Sequence, residues 1–342
     1  MKINSFLMSF CFLFIAMACS MEDEKILSDI EQDVDNRENV AASIMVSFKG
    51  ANATKGDEPT PEKVLQNVVV FLLDENQEVE NVLCVTDPTK LNSISFSTKK
   101  EDGKSVYVVA NVSETTRNSL KVQKNLEAIK TVALTDEDLA LLPKVSDEPK
   151  DVAFVPDGDS FIATVTVNLS QRTSRIHLNK LTYEFVEGTV AYNDLKLVDI
   201  SLGNIVKDGQ VEGIPAIDPS NSYKEIPYVY AEGASFFPIL DDGSFVLADN
   251  IHFDTYANPE QSSEGKQMLT TLFLTFKMNS DKKVIKRICT IKTNGKELVE
   301  AGHIYELELN AIVSSGEIAV AVEARVLDWD YREIDLGGIE PE

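Results

Sequence analysis

The sequence predicts a mainly β protein whose strands form sandwich-type domains. Short apolar runs, bounded by Gly, Pro, Asn or Asp, recur from residue 63 to residue 314, which is the spacing expected of strands joined by turns. The 342 residues are enough for about two domains of ordinary size. The pattern contains neither a repeat of solenoid period nor a βαβ unit with a Gly-rich phosphate loop. We therefore expect two β-sandwich domains, at 56–160 and 161–316.

The chain begins with an export leader. Lys2 supplies a positive charge, and residues 6–18 are almost continuously apolar, a run that is too short to span a membrane but typical of a signal peptide. Cys19 follows the small residue Ala18, as in the lipidation site of bacterial lipoproteins. The prediction is a lipoprotein signal peptide at 1–18 and a lipid on Cys19 that anchors the chain. An ordinary signal peptide with a coincidental cysteine is the alternative.

The first strand is expected at residues 40–48, where apolar residues alternate with small or polar ones. Its apolar face carries Val40, Ala42, Ile44, Val46 and Phe48. The following stretch is rich in Gly, Asn, Thr and Pro, as loops are, and it presents Lys55 where a protease can reach extended backbone. A strand ahead of an accessible basic residue indicates a strand that is later removed. We therefore interpret 19–55 as a propeptide cut at Lys55, whose removal opens an apolar groove.

The body of the chain continues with strands and a short helical region. Strands are expected at 63–73, 79–85, 94–97, 104–111, 164–169, 175–185, 192–205, 245–252, 268–278, 284–291 and 305–314. Residues 115–142 are rich in Leu, Glu and Lys and predict one or two short helices, with Thr135 as a helix cap. The acidic stretch 146–160 contains Pro and Gly and is interpreted as the link between the two domains.

The C-terminal segment, 317–342, opens with a second cleanly alternating strand. Its apolar face carries Ile318, Val320, Val322, Ala324 and Val326. A strand removed at one end of a chain and a similar strand offered at the other are the two halves of strand complementation between subunits, in which an added strand supplies backbone hydrogen bonds and fills pockets with alternate side chains. The alternative is that this strand is simply the last strand of its own domain.

Composition and charge exclude several classes of function. The net charge of −24 argues against nucleic acid as a partner, because nucleic-acid binding needs a basic surface, and it favours a soluble surface outside the cell. His177, His252 and His303 lie in or beside predicted strands, away from any nucleophile motif, and a structural role is expected for them. We therefore predict a protein without catalytic residues, metal or cofactor.

Other polar and aromatic groups have structural interpretations as well. Asp157, Asp159, Asp241 and Asp242 are expected to be turn residues, since no loop offers a full set of calcium ligands. Cys84 and Cys289 lie in apolar surroundings and are expected to be free thiols. A cluster of aromatic residues at 223–237 either covers the core or lines a ligand surface. Its members are Tyr223, Tyr228, Tyr230, Phe236 and Phe237.

The chain resembles the fimbrillins of the Bacteroidales, the subunits of type V pili. The resemblance runs through an ordered set of segments. They are the lipidation site at Cys19, SIMVSF at 43–48, KVLQNVVVFLLDENQEV at 63–79, KSVYVVANVS at 104–113, VNLSQRTSRIHL at 167–178, HIYELELN at 303–310 and AVEARVLDWDY at 321–331. The resemblance implies two transthyretin-like β-sandwich domains preceded by a signal peptide and a propeptide strand.

The same resemblance implies a function. It implies a lipoprotein precursor, acylated with palmitate, that is carried to the cell outer membrane and cut by a trypsin-like protease. The cut subunit would polymerise by donor-strand exchange with other fimbrial subunits, including anchor and tip subunits, and the fimbrium would serve adhesion. Relatives are often cut after Arg, whereas this chain offers Lys49 and Lys55 after the strand and Arg37 before it.

Two rival functions remain at this stage. One is a surface glycan-binding lipoprotein that keeps its first strand and uses the aromatic cluster at 223–237 as a sugar platform. The other, a secreted hydrolase, is more distant because the sequence shows no nucleophile, metal set or acid pair.

Overall fold

The computed structural model describes residues 40–49, 64–186, 196–213, 223–227, 237–238, 251–258, 269–278, 283–291, 299–314 and 317–328. The chain divides into two compact units, 1–40 and 41–342. Only Val40 of the first unit is among the described residues, and all the described strands and helices lie in the second. The described part of the chain contains no helix with the length and apolar character that crossing a bilayer requires.

The N-terminal half of the second unit consists of strands and two short helices. The strands are β1, Ala41–Lys49; β2, Val68–Leu73; β3, Val79–Val85; β4, Ile94–Lys99; β5, Ser105–Ala110; β6, Ala133–Leu134; β7, Lys144–Ser146; β8, Lys150–Asp151; β9, Val155–Asp157; and β10, Ser160–Gln171. The helices are α1, Glu114–Lys121, and α2, Leu126–Lys130, with 3₁₀ turns at Pro88–Ser93 and Leu139–Leu141.

All of these strands except β6 form one sheet that folds back on itself. Its hydrogen-bonded order is β3-β2-β5-β7-β10-β1-β4, with β8 beside β5 and β9 beside β10. The long strand β10 joins the two parts, since its last residues pair with β7 and its earlier residues pair with β1. Alternate residues of β2 and β5 face those of β1, β4 and β10 across a shared apolar layer. We refer to this layer as the first core, and the arrangement is a β-sandwich.

The opposite face of β2 and β5 is also covered. Val69, Phe71 and Tyr107 point to this side, where they meet apolar residues of α1 and α2 and form a second core. Each helix has a side-chain cap: Ser113 accepts a hydrogen bond from the Thr116 N–H, and Asn125 accepts one from the Ala128 N–H. The two short helices therefore confirm the prediction for 115–142.

The expected helix cap at Thr135 is wrong. The next residue, Asp136, has φ of 53°, a left-handed conformation with which a right-handed helix cannot start. A single 3₁₀ turn begins later instead, at Leu139, with Asp138 as its cap.

The C-terminal half of the unit is a second sandwich-like pair of sheets. Its strands are β11, Thr173–Phe185; β12, Lys196–Val206; β13, Gly209–Gln210; β14, Tyr223–Pro227; β15, Phe237–Pro238; β16, His252–Tyr256; β17, Thr271–Met278; β18, Lys283–Thr290; β19, His303–Ser314; and β20, Glu317–Asp328. One sheet has the order β16-β11-β19-β20, and the other has β14-β12-β17-β18 with β15 beside β12. Both sheets contribute residues to a third core. The mainly β fold is thus confirmed.

In one region, the strands belong to a different half of the unit from the one that the sequence predicted. Residues 146–160, expected to link two domains, contain the end of β7 and all of β8 and β9, which belong to the N-terminal sheet, and β10 pairs there as well. The polar composition that indicated a linker is equally typical of short edge strands, and the residues of β8 and β9 are exposed. The chain passes into the C-terminal sheets at Arg172, between β10 and β11.

Candidate functional site: the β1 slot and the β20 edge

The first described strand, β1, lies inside a sheet rather than at its edge. β1 runs parallel to β10 over eight residue pairs, from Ala42↔Phe161 to Lys49↔Asn168. On its other side it runs antiparallel to β4 over six residue pairs. The space between β10 and β4 that β1 fills is called the β1 slot below. Emptying this slot would leave the backbone edges of both neighbours without a partner.

The inward face of β1 is part of the first core. Ala42, Ile44, Val46 and Phe48 are each 9 % exposed or less, and the last three pack among apolar residues of β2, β4, β5 and β10. Burial of the three larger side chains stabilises the strand by roughly 5–9 kcal/mol gross. The fifth residue of the predicted apolar face, Val40, is 36 % exposed and lies before the strand begins.

The outward face of β1 is polar or exposed and carries few specific contacts. Met45 is 48 % exposed, and the Ser47 hydroxyl lies 3.1 Å from the Thr166 hydroxyl on β10. Residues 40–48 contain no charged side chain. Backbone hydrogen bonds and apolar burial therefore hold this segment in place, and any strand with a matching apolar period can supply both.

The last described strand, β20, lies at the edge of its sheet rather than inside it. β20 is antiparallel to β19 over twelve residue pairs, from Ser314↔Glu317 to His303↔Asp328, and within the described residues no strand lies on its other side. Its apolar residues share one face, in the alternation that the sequence predicts. Ile318 is buried at 1 % exposure, whereas the remaining members of this face, Val320, Val322, Ala324 and Val326, are half-buried against the third core.

One side-chain contact fixes the start of β20 to the facing sheet. The Arg287 guanidinium on β18 donates a hydrogen bond from Nε to the carbonyl oxygen of Ile318. No sequence pattern indicated this contact, because β18 and β20 lie in different sheets and are not paired as neighbouring strands.

The histidines lie together on one sheet but not around a reactive group. His177 on β11 is paired in register with His252 on β16, and His303 Nδ1 lies 2.8 Å from the Ala301 carbonyl oxygen. Burial is the main reason why the pKa of His177 lies below its usual value. In the part of the chain that the structure describes, no group of three or more His, Cys, Asp or Glu side chains could hold a metal ion.

The remaining residues named from the sequence have limited roles in the described structure. Cys84 is half-buried, Cys289 is buried, and both are free thiols as predicted. Burial raises the pKa of the Cys289 thiol to about 11, so this thiol is unreactive at neutral pH. Asp157 and Asp159 flank a turn at Gly158. Cys19, Arg37, Lys55, Asp241, Asp242, Tyr228, Tyr230 and Phe236 lie outside the described residues.

The aromatic cluster is described only at its ends. Tyr223 opens β14 and pairs with Val206, and Phe237 lies in β15 and pairs with Leu197. Both positions belong to the sheet that contains β12.

A polar joint, which no sequence pattern indicated, connects the two halves of the unit. The Arg172 guanidinium donates to the Gly213 carbonyl oxygen at 2.9 Å and to the Gln210 carbonyl oxygen at 3.4 Å. Beside it, β13 pairs with β6, and Val206, Val211 and Tyr256 enter the second core. The halves therefore share both backbone hydrogen bonds and a packed apolar layer.

Neither a protein-family model nor a curated protein matches the chain. Solved structures do match it. A fimbrilin (FimA) from Porphyromonas gingivalis is 14 % identical with a TM-score of 0.55, over 86 % of this chain and 98 % of that one. A putative cell adhesion protein from Parabacteroides distasonis is 15 % identical with a TM-score of 0.55, over 84 % of this chain and 97 % of that one.

A third match is the tip fimbrial protein Mfa3 of Porphyromonas gingivalis, in a form with a C-terminal truncation. It is 12 % identical with a TM-score of 0.53, over 84 % of this chain and 100 % of that one. Identities this low establish similarity of fold alone. The chain therefore has a fimbrillin-type fold, similar to the folds of these fimbrial and cell adhesion proteins.

Proposed function

We propose that the chain is a structural subunit of a cell-surface fimbria, which polymerises by protease-triggered donor-strand exchange and serves adhesion. The observation that carries this proposal is the position of β1. It is the first strand of the unit, yet it fills the middle of a sheet between β10 and β4. Its loss would open a slot lined by two unpaired strand edges and an apolar core, which only another strand can refill.

The position of β1 supports Lys55 as the processing site. Lys49 is the last residue of β1 and is paired with Asn168, and backbone within a sheet resists proteolysis. Cleavage after Arg37 would leave β1 attached to the rest of the subunit. Cleavage after Lys55 would convert residues 19–55 into a strand held only by noncovalent contacts.

The energetics of exchange favour β20 as the incoming strand. Most of its apolar face is half-buried at a sheet edge, so leaving β19 forfeits only part of the burial that the β1 slot offers. The slot buries four inward side chains, of which three are larger than alanine. Three such apolar side chains from an incoming strand contribute roughly 5–9 kcal/mol gross, before the costs of ordering and association. Backbone hydrogen bonds to both edges of the slot add to this contribution.

The rest of the proposed pathway follows the resemblance. A lipid on Cys19 would attach the precursor to the outer membrane, where a trypsin-like protease would act. The cut subunit would then join copies of itself and anchor or tip subunits to form the fimbrium.

Limited proteolysis tests the proposal. Purified chain is incubated with trypsin, and we expect a stable fragment that begins at Gly56 and assembles into ladders or filaments. Lys55→Ala should abolish both cleavage and assembly. The matched control Lys49→Ala, which removes the basic residue inside β1, should leave both intact. A cleavage product that stays monomeric, or digestion of the core together with β1, would contradict the proposal.

Truncation tests the donor strand separately. A chain lacking residues 318–342 should be cut by trypsin and keep its N-terminal sandwich, yet form no polymer. Circular dichroism and electron microscopy provide the two readouts. Filaments of normal length from the truncated chain would exclude β20 as the donor.

A further inference from the structure

We propose that the Glu80 carboxylate on β3 holds β4 away from β10 after β1 has left, so that the β1 slot stays open for an incoming strand. This inference rests on the proposed function, because it concerns the interval between the loss of β1 and the arrival of the donor strand.

β4 depends on β1 for its backbone pairing. Among the described strands, β4 is hydrogen-bonded to β1 alone, over six residue pairs from Ala41↔Lys99 to Val46↔Ile94. The inward residues of β4, Ile94 and Phe96, belong to the first core. Apolar contacts are non-directional, however, and do not by themselves fix the sideways position of a strand. Removal of β1 therefore leaves β4 without a backbone partner in its sheet.

The two strand edges that β1 leaves behind are able to pair with each other. β1 is parallel to β10 and antiparallel to β4, so β4 is antiparallel to β10. The inward residues already lie in common rows, since Phe96 and Ala163 are both paired with Ile44. A sideways shift of β4 by one strand spacing, about 5 Å, would join β4 to β10 without changing the face of any side chain. Such pairing would satisfy both free edges and close the slot.

A cation–π contact already draws β4 towards β10. Lys100 follows β4 directly, and its Nζ lies 5.8 Å from the centroid of the Phe161 ring on β10, close enough for attraction to the aromatic face. Phe161 is paired with Ala42, so this contact spans the slot at the Ala42 end. An open slot therefore needs a contact that opposes closure.

Glu80 supplies a contact of this kind. The sheet folds back so that its two end strands, β3 and β4, come side by side, and the Thr98 hydroxyl on β4 donates a hydrogen bond of 2.7 Å to Glu80 Oε1 on β3. Thr98 is paired with Ala42, so the bond lies at the same end of the slot as the Lys100 contact. A shift of β4 towards β10 by one strand spacing would break it.

The Glu80 side chain is itself held in place. Glu80 is the extra residue of a β-bulge, because the register between β2 and β3 shifts at this point, and bulges redirect side chains. Its second oxygen, Oε2, accepts a hydrogen bond from the Lys104 ammonium, and the Lys104 side chain is 1 % exposed. Lys104 Nζ also lies 2.9 Å from Glu101 Oε2. Taking one carboxylate from a buried cation is costly, so Glu80 does not follow β4 towards β10.

The contact between Thr98 and Glu80 becomes decisive only after cleavage. In the uncut chain, β1 fills the space through which β4 would move. Once β1 is lost, the Glu80 contact opposes the direct pairing of β4 with β10. Loss of the Thr98 hydroxyl should therefore leave cleavage unchanged but allow the slot to close before the donor strand arrives.

A disulfide trap detects closure of the slot. Ser95 on β4 and Thr164 on β10 are exposed, and both are paired with Met45 on the outward face. In the uncut chain their Cα atoms are two strand spacings apart, about 10 Å, whereas a disulfide needs about 4–7 Å. In a closed slot the two residues would be directly opposite each other, about 5 Å apart.

Chain carrying Ser95→Cys and Thr164→Cys is cut with trypsin and mildly oxidised, and a parallel sample without oxidant is scored for filaments. Mass spectrometry of the linked peptides identifies the bond between positions 95 and 164 and excludes contributions from Cys84 and Cys289. The same measurements are made after Thr98→Val is added, a substitution that removes the hydroxyl and keeps the shape of the side chain.

We expect Thr98→Val to accelerate formation of this bond about tenfold after cleavage, because a hydrogen bond to a charged group shifts an equilibrium by about that factor. Filament yield should fall in parallel. Thr98→Ser, which keeps the hydroxyl, should restore both readouts. The matched control Ser97→Val, on the exposed face of the same strand, should change neither. Without trypsin, no variant should form the bond, which separates slot closure from general loosening of the fold.

Every other outcome counts against the inference. Equal bond formation with and without Thr98→Val, together with normal filaments, would overturn it and leave strand exchange standing. Faster bond formation with normal filament yield would overturn it as well, because closure would then not compete with the donor. A bond in the uncut chain, or a Thr98→Ser chain that behaves like Thr98→Val, would have the same meaning. If the unsubstituted chain forms no filaments after cleavage, the proposed function fails, and the inference fails with it.

Discussion

β1 and β20 carry the same alternating apolar pattern, but their neighbours differ. β1 has a strand on each side, and all four residues of its inward face are buried. β20 has β19 on one side, and only Ile318 on its apolar face is fully buried. An alternating pattern therefore determines which residues share a face but not how completely that face is covered. In the proposed exchange, β20 would gain apolar burial, because it would leave a half-covered sheet edge and enter the fully covered position of β1.

The largest expected effect is a difference in the free energy of unfolding between substitutions at one apolar position on each strand. Ile44→Ala should lower the free energy of unfolding of the uncut chain by about 2–5 kcal/mol, because it leaves a cavity in the first core. Val322→Ala should cost only about 1 kcal/mol, since Val322 is half-buried. Urea denaturation followed by circular dichroism measures both. Equal costs would show that the two strands are covered alike in solution and would remove the asymmetry on which exchange depends.

The alternation of these strands could be predicted from the sequence because side chains change face at every residue of a strand. The neighbours of β1 could not, because β10 is more than a hundred residues away and its pairing depends on the whole sandwich. The same long-range pairing placed β10 in the N-terminal sheet rather than in the C-terminal one. Propensity patterns also missed Arg172 and Arg287, whose partners are backbone carbonyls on distant segments.

A smaller effect concerns the contact that holds β20 at its start. Arg287→Met removes the hydrogen bond to the Ile318 carbonyl and should cost about 1 kcal/mol in the uncut chain. If release of β20 limits assembly, filaments should then form about fivefold faster after cleavage. Light scattering after trypsin addition measures this rate.

Lys286 offers the matched control for Arg287. It is the neighbouring cation on β18, and it is exposed. Lys286→Met should therefore leave the rate unchanged. Equal acceleration by both substitutions would assign the effect to surface charge rather than to the contact with β20.

The smallest expected effect is a difference between β1 and β20 in how strongly acid destabilises them. All three histidines of the chain lie in the sheet that carries β20. The pKa of His177 is lowered by burial, which Glu306 opposes and which the neighbouring His252 and Arg175 reinforce. A histidine with a lowered pKa in the folded state stabilises the fold above the unfolded pKa of about 6.5 and withdraws that stability as the pH falls towards the lowered value.

Acidification from pH 7 to pH 5 should therefore loosen β20 more than β1. Amide hydrogen exchange, corrected for its intrinsic pH dependence, measures the protection of peptides that cover each strand. His177→Gln should remove most of the difference, because glutamine does not titrate. The same substitution at His303, which lies 2.8 Å from the Ala301 carbonyl oxygen at the start of β19, is the matched control. Equal loosening of β1 and β20 in the unsubstituted chain would mean that acid acts on the whole unit, and the sheet that contains His177 would have no special sensitivity.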